Sequence, residues 1–134
     1  MNKLYLFAGI LAALIIGSTW WLMQPDDSSS DAHIAVTVPT LSATAKQGES
    51  LFAGKCAACH GQNAAGSQQG PPLIHKLYHP GHHGDQAFQI AARNGVQAHH
   101  WQYGNMPPVD GATPSDVAKI TQFVRELQKA NGVF

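Results

Sequence analysis

The sequence predicts an all-α protein in which a small helical domain follows an N-terminal transmembrane helix. Residues 4–23 form a nearly unbroken apolar run, and later segments combine helix caps with apolar residues at helical spacing. The best candidate for a β-strand, residues 34–38, has no second strand to pair with. We therefore divide the chain into residues 1–23, 24–44 and 45–134.

The charge balance gives no sign of a nucleic-acid partner. Eight Lys and Arg match eight Asp and Glu, so the chain has no net field that would attract a polyanion. Acids at positions 26, 27 and 31 leave residues 45–134 mildly basic, with seven basic and five acidic side chains. Eight histidines are an unusual excess for 134 residues.

Residues 4–23 are predicted to be a membrane anchor. As a helix the run is about 30 Å long, which matches the hydrocarbon core of a bilayer. Trp20 and Trp21 lie where the run meets polar sequence, a typical position for interfacial aromatic anchors. Lys3 precedes the run and acids follow it, so the remainder of the chain is predicted to be exported. The alternative is a secretory signal cleaved near residues 17–19.

Residues 24–44 are interpreted as a flexible linker. They contain Pro25, Pro39, two consecutive aspartates and three consecutive serines, with few large apolar side chains. A flexible linker of this length has an r.m.s. reach of roughly 25 Å, so the following domain could visit neighbours in the same membrane.

Cys56 and Cys59 are the only cysteines, and His60 follows the second directly. This is the spacing of a c-type haem attachment site, in which two thiols bond to the two vinyl groups of one haem and the imidazole becomes an axial ligand. A structural zinc site would need two more ligands, and only a Cys2His2 set is formally open. A thioredoxin-like redox pair would need a parallel sheet around it.

With this motif in place, residues 45–134 resemble the class I c-type cytochromes, specifically the monohaem, membrane-anchored bacterial type. The matching features occur in family order: Cys56-Ala57-Ala58-Cys59-His60-Gly61, then Gly70-Pro71-Pro72-Leu73, then Gly104-Asn105-Met106-Pro107-Pro108 and a closing amphipathic helix. The resemblance implies a small cytochrome c fold around one haem c, bound covalently through Cys56 and Cys59.

The first helix of this domain is predicted over residues 45–55, so that it delivers Cys56 at its end. Gly48 and Phe52 share one face of the helix. The resemblance implies that this face packs against the last helix. The alternative is that Gly48 only weakens a short helix.

The resemblance also assigns further haem contacts. Pro71 matches the residue whose carbonyl accepts the Nδ1–H of the proximal histidine, with Pro72 or an ordinary stiff turn as alternatives. Met106 matches the distal iron ligand, and it is the only methionine outside residues 1–23. A methionine that fills a gap in the core is the structural alternative for Met106.

A short middle helix is predicted to begin with Asp85 as its N-cap and to end at Asn94 and Gly95. Arg93, near its end, is a candidate partner of a haem propionate. A solvated cation at a helix C-terminus is the alternative for Arg93.

The last helix is predicted to begin with Thr113 as its N-cap and to end at Asn131 and Gly132. Phe123 is the predicted contact of Gly48 and Phe52. The predicted apolar stripe consists of Val117, Ile120, Val124 and Leu127.

The histidine-rich loops are the chief departure from the family pattern. His79, His82 and His83, in a loop that also holds His75, could together bind copper, nickel or zinc. His99, His100 or Trp101 could contact a propionate, and either histidine could replace Met106 as a ligand. The alternative is that these loop histidines are simply solvated.

With His60 and Met106 as axial ligands, the iron has no open position, which favours electron transfer over catalysis. We expect an electron carrier, not an enzyme, that passes single electrons between respiratory partner proteins, a donor and an oxidase or reductase. It would lie on the outer face of the bacterial inner membrane, with its haem domain in the periplasm, and could be a haem subunit of a larger oxidoreductase. The alternative is a haem or copper sensor that exchanges the ligand at Met106.

Overall fold

The computed structural model describes residues 34–134, which contain four α-helices. We name them α1 (Ala43–Lys55), α2 (Ala57–His60), α3 (Asp85–Asn94) and α4 (Pro114–Ala130). Short 3₁₀ turns cover Gln62–Ala64 and Lys76–Tyr78. These residues form no β-strand, only an isolated bridge between Val96 and Met106. The all-α prediction is confirmed for this part of the chain.

The predicted anchor in residues 1–23 lies outside the described residues. Within residues 34–134, none of the helices has both the length and the apolar character that crossing a membrane requires.

Helix α4 begins where its sequence predicts. The Thr113 hydroxyl accepts the Asp116 backbone N–H, while the Asp116 carboxylate accepts the Thr113 backbone N–H, at 3.1 and 3.0 Å. This reciprocal capping box satisfies two backbone donors at the start of the helix. The helix ends before Asn131, as expected.

The predicted N-cap of α3 is wrong by one residue. Gly84 is the N-cap, and Asp85 is the first helical residue. The Asp85 carboxylate accepts a hydrogen bond from Arg125 Nε at 2.8 Å instead of capping its own helix. An acid in the first turn still interacts favourably with the helix dipole.

Helices α1 and α4 cross in close contact at Gly48. A Cβ added at Gly48 would lie 2.0 Å from the backbone oxygen of Lys119 and 3.0 Å from Phe123 Cβ. The rings of Phe52 and Phe123 pack beside this point, with centroids 5.5 Å apart. The predicted packing of this face of α1 on the last helix is therefore confirmed. The buried apolar core around the crossing also includes Leu41, Ala45, Leu73, Ile74, Ile120, Val124 and Leu127.

Residues 34–42, part of the predicted linker, lie against the helical domain. The Ile34 N–H donates to the Ala65 carbonyl at 2.9 Å. The Asn131 side chain bonds both the N–H and the C=O of Thr37, each at 2.8 Å. Ser42, the N-cap of α1, donates through its N–H and its hydroxyl to the Glu126 carboxylate. The hydrogen bonds from Ser42 lower the pKa of Glu126 from its usual value.

Replacing Gly48 with alanine tests the helix crossing. The added Cβ would overlap the Lys119 carbonyl, so we expect the free energy of unfolding to fall by about 1–3 kcal/mol. Gly54→Ala is the matched control, because it lies in α1 with no heavy atom within 4 Å of the added Cβ. The control should gain up to about 1 kcal/mol from helix propensity. Urea unfolding measures both, and equal responses would contradict a close crossing.

Candidate functional site

An apolar cavity of about 590 Å³ lies among the helices and the loops around α3. None of its lining residues within the described part of the chain is Lys, Arg, Asp or Glu. Its size is in the range of cofactor-binding clefts, which are mostly apolar with a few placed polar groups. The lining residues with polar or sulfur-containing side chains are Cys56, His60, Tyr78, His83, Gln97, His99, His100, Trp101, Tyr103 and Met106.

The predicted attachment motif lies at the junction of α1 and α2. Cys56 ends α1 and is the N-cap of α2, and the His60 N–H donates to the Cys56 carbonyl at 2.9 Å. Residues three and four apart on a helical turn are neighbours, so Cys56 lies beside both Cys59 and His60. Cys56 and His60 line the cavity, whereas Cys59 is exposed. Burial raises the pKa of Cys56 to about 11, so its thiol is protonated at neutral pH.

His60 is held in one orientation by a backbone carbonyl. Its Nδ1 lies 2.9 Å from the Pro71 oxygen, and the contact falls on Pro71 rather than Pro72. Because a carbonyl can only accept, Nδ1 carries the hydrogen and Nε2 keeps its lone pair. Burial lowers the pKa of His60, and the bond to Pro71 partly opposes this shift. The result is a neutral imidazole, the form that binds metals.

Met106 lines the same cavity, and two hydrogen bonds hold its backbone in place. Its N–H and C=O pair with the C=O and N–H of Val96, each at 2.9 Å. Gly95, at φ +74°, lies against this pair, and a Cβ added there would be 2.4 Å from the Met106 oxygen. A side chain at position 95 would therefore displace the Met106 backbone.

Trp101 also lines the cavity, but its only hydrogen-bond donor is already used. Its Nε1 donates to the Tyr78 hydroxyl at 3.1 Å. Burial raises the pKa of Tyr78, so its own hydroxyl proton stays in place and remains available to an acceptor in the cavity. Tyr78 was not among the residues predicted from the sequence, where its only signal is its place within the histidine-rich loop.

Arg93 does not line the cavity. It is exposed, and its Nε donates to the Asn94 side chain at 3.2 Å. Its contact with a propionate stays a prediction.

A buried polar network on α4 holds the loop that carries Tyr78. Arg125 donates to the backbone oxygens of Tyr78 and His83 and to the Gln128 side chain. Gln128, only 1% exposed, donates to the oxygens of Leu73 and Tyr78 at 2.8 and 3.0 Å. Neither residue of this network was among those predicted from the sequence. A signal existed for Gln128 alone, because it follows Val124 by four positions on the buried stripe of α4.

The structure groups the loop histidines differently from the predicted set. His82 and His83 lie together with His100, and His79 is not part of this group. The Nδ1 of His79 instead accepts the Gly81 N–H at 3.1 Å. The pKa of His100 is lowered most by desolvation and less by repulsion from the neighbouring histidines.

Comparison with known proteins decides the family. The family model for cytochrome c matches residues 45–128. This chain belongs to the cytochrome c family. The cytochrome is 40% identical over 86 residues to the Cbb3-type cytochrome c oxidase subunit CcoP of Rubrivivax gelatinosus. The aligned region covers 62% of this chain and 26% of that subunit. The chain thus spans about a quarter of that relative's length. No solved structure matches this chain.

Family membership identifies the cofactor of this cytochrome as covalently bound haem c. The residues present fit that group. Cys56 and Cys59 supply two thiols, His60 offers a neutral imidazole, and the cavity supplies apolar walls.

The Arg125 network predicts unequal effects for two substitutions. Arg125→Met leaves the half-buried His83 oxygen and the Gln128 side-chain oxygen without this donor, so the free energy of unfolding should fall by about 2–4 kcal/mol. Asp85→Asn changes only the charge of a side chain that is itself 74% exposed, and should cost less than about 1 kcal/mol. Denaturant unfolding of the haem-loaded cytochrome measures both. A loss at Asp85 as large as that at Arg125 would show that the surface ion pair, not the network, holds this loop.

Proposed function

We propose that this cytochrome is a membrane-tethered carrier that passes single electrons between respiratory partners on the outer face of the inner membrane. The observation that carries the proposal is that His60 and Met106 line one cavity. A haem bound there supplies a one-electron ferric/ferrous couple. His60 Nε2 and the Met106 sulfur would be the two groups that hold its iron.

With both groups bound, the iron would have no position left for a substrate, which favours outer-sphere electron transfer. Nitrogen and thioether ligation raises the reduction potential relative to two imidazoles. The apolar walls act in the same direction, because a low-dielectric surrounding disfavours the more highly charged ferric state. We therefore propose a fairly positive potential, suited to an oxidase or a similar acceptor.

Exposure within the motif indicates where electrons enter and leave. Cys59 is exposed and does not line the cavity, whereas Cys56 is half-buried. We propose that a partner would approach the bound haem from the side of the exposed Cys59.

The proposed tether and location rest on the sequence of residues 1–23. Their apolar run and the preceding Lys3 support a single-pass anchor with the haem domain in the periplasm. The mild net charge of the domain offers little electrostatic steering, and a tether would compensate by raising the effective concentration of partners. The likeness to an oxidase subunit supports a respiratory partner or a place within a larger oxidoreductase.

A second candidate function is a sensor that exchanges its ligand at Met106. It is favoured by one observation, that His83, His99 and His100 line the same cavity as Met106. Binding of carbon monoxide to the reduced protein at neutral pH separates the two, because a firmly six-coordinate carrier resists it.

The ligand assignment is tested by the weak near-infrared band of a methionine–ferric bond. We expect the wild-type cytochrome to show this band, and Met106→His to lose it with a lower reduction potential. His100→Ala is the control from the same cavity and should keep the band. A wild-type spectrum without the band, altered instead by His100→Ala, would favour the sensor.

The backbone contact at Gly95 gives an independent test of the same ligand. Gly95→Ala forces a Cβ against the Met106 oxygen, and we expect a weaker near-infrared band and a lower reduction potential. Gly132→Ala is the matched control, since Gly132 also has a positive φ, +75°, but no heavy atom near the added Cβ and no place in the cavity lining. The control should keep the band and lose only about 1–2 kcal/mol of stability from backbone strain. Equal near-infrared spectra for both variants would contradict the assignment of Met106 as an iron ligand.

A further inference from the structure

Three histidines from two loops lie together beside the cavity. His82 and His83 lie in the loop before α3, and His100 lies in the loop between α3 and α4. One ring nitrogen from each of His82, His83 and His100 lies within 4.8 Å of the others, the single such group of potential metal ligands in residues 34–134. We propose that these three imidazoles bind one divalent transition-metal ion and that zinc fits them best. The haem ligands proposed above are not part of this set.

The distance between two of the nitrogens suits a tetrahedral ion. His82 Nε2 and His100 Nε2 are 3.4 Å apart. With Zn–N bonds of about 2.0–2.1 Å, two ligands of a tetrahedral zinc lie about 3.3–3.4 Å apart. Ligands at neighbouring corners of a square plane would lie only about 2.9 Å apart. The observed distance is also longer than the usual hydrogen bond of about 2.7–3.2 Å.

The third imidazole is oriented by a backbone contact. His83 Nδ1 lies 2.6 Å from the Leu77 carbonyl oxygen. Because the carbonyl accepts, Nδ1 carries the hydrogen and Nε2 keeps its lone pair for a metal, the arrangement common among metal-binding histidines. Arg125 holds this segment in place through the His83 carbonyl. His83 is therefore a fixed ligand before any ion arrives.

The exposure of the cluster allows an ion to enter from solvent. His82 and His100 are exposed, and His83 is half-buried. His83 and His100 line the cavity whereas His82 does not, which places the cluster at the cavity rim. Two neighbouring histidines have Nδ1 contacts of their own: His79 accepts from the Gly81 N–H, and His99 lies 2.7 Å from the Gln97 oxygen.

An ion at this site would cross-link two loops that are 17 residues apart in sequence, as counted from His83 to His100. The second loop continues to Met106, so a bound ion would restrict the segment that carries it. By linkage, an ion that binds only this arrangement stabilises it in proportion to its occupancy. The metal site itself does not require Met106 to be an iron ligand.

The test is a calorimetric titration of haem-loaded, tag-free cytochrome with zinc chloride after removal of trace metals. We expect one zinc ion per chain and an affinity lowered at least about tenfold in His82→Ala and in His100→Ala. His79→Ala is the matched control from the same loop and should bind like wild type. Zinc should also raise the unfolding midpoint of the wild type and of His79→Ala, but not that of His100→Ala.

Absence of saturable zinc binding, or binding unaffected by His82→Ala and His100→Ala, would overturn the proposal. An equal loss in His79→Ala would also overturn it, because it would indicate unspecific binding to the loop. The titration uses no redox partner and no near-infrared signal. Its failure is therefore distinguishable from failure of the proposed electron-carrier function.

Discussion

The close approach of α1 and α4 at Gly48 determines where the rest of the site lies. Because no side chain separates the two backbones, Phe52 and Phe123 can pack against each other beside the crossing. The same geometry fixes the end of α1, where Cys56 begins the next turn and His60 follows within four residues. The haem motif is thus positioned by a helix contact that lies eight residues before it.

Where no family resemblance was used, the features predicted well from sequence are those whose interacting groups lie within a few residues of one another. The capping box of Thr113 and Asp116 is such a feature, and it depends on side chains three positions apart. The wrong cap at Asp85 has the opposite cause, since its carboxylate is engaged by Arg125, 40 residues later. The sequence contains no local sign of that partner.

The same limit applies to the polar residues around the cavity. The regrouping of His82 and His83 with His100 depends on how two loops meet, and sequence order had instead suggested neighbours within one loop. Gln128 could have been found, because a polar residue on an apolar helical stripe must satisfy its hydrogen bonds in the interior. The haem motif itself was predictable because its chemistry requires specific residues at a fixed spacing.

The docking of residues 34–42 sets a limit on how far the haem domain can stand from a membrane. Since Ile34 is bonded to the Ala65 carbonyl, close in sequence to His60, only residues 24–33 separate the domain from the proposed anchor. Ten residues span at most about 35 Å even when fully extended. A redox partner would then have to place its own redox group close to the bilayer surface. The domain could not reach a redox group that lies much farther from the membrane.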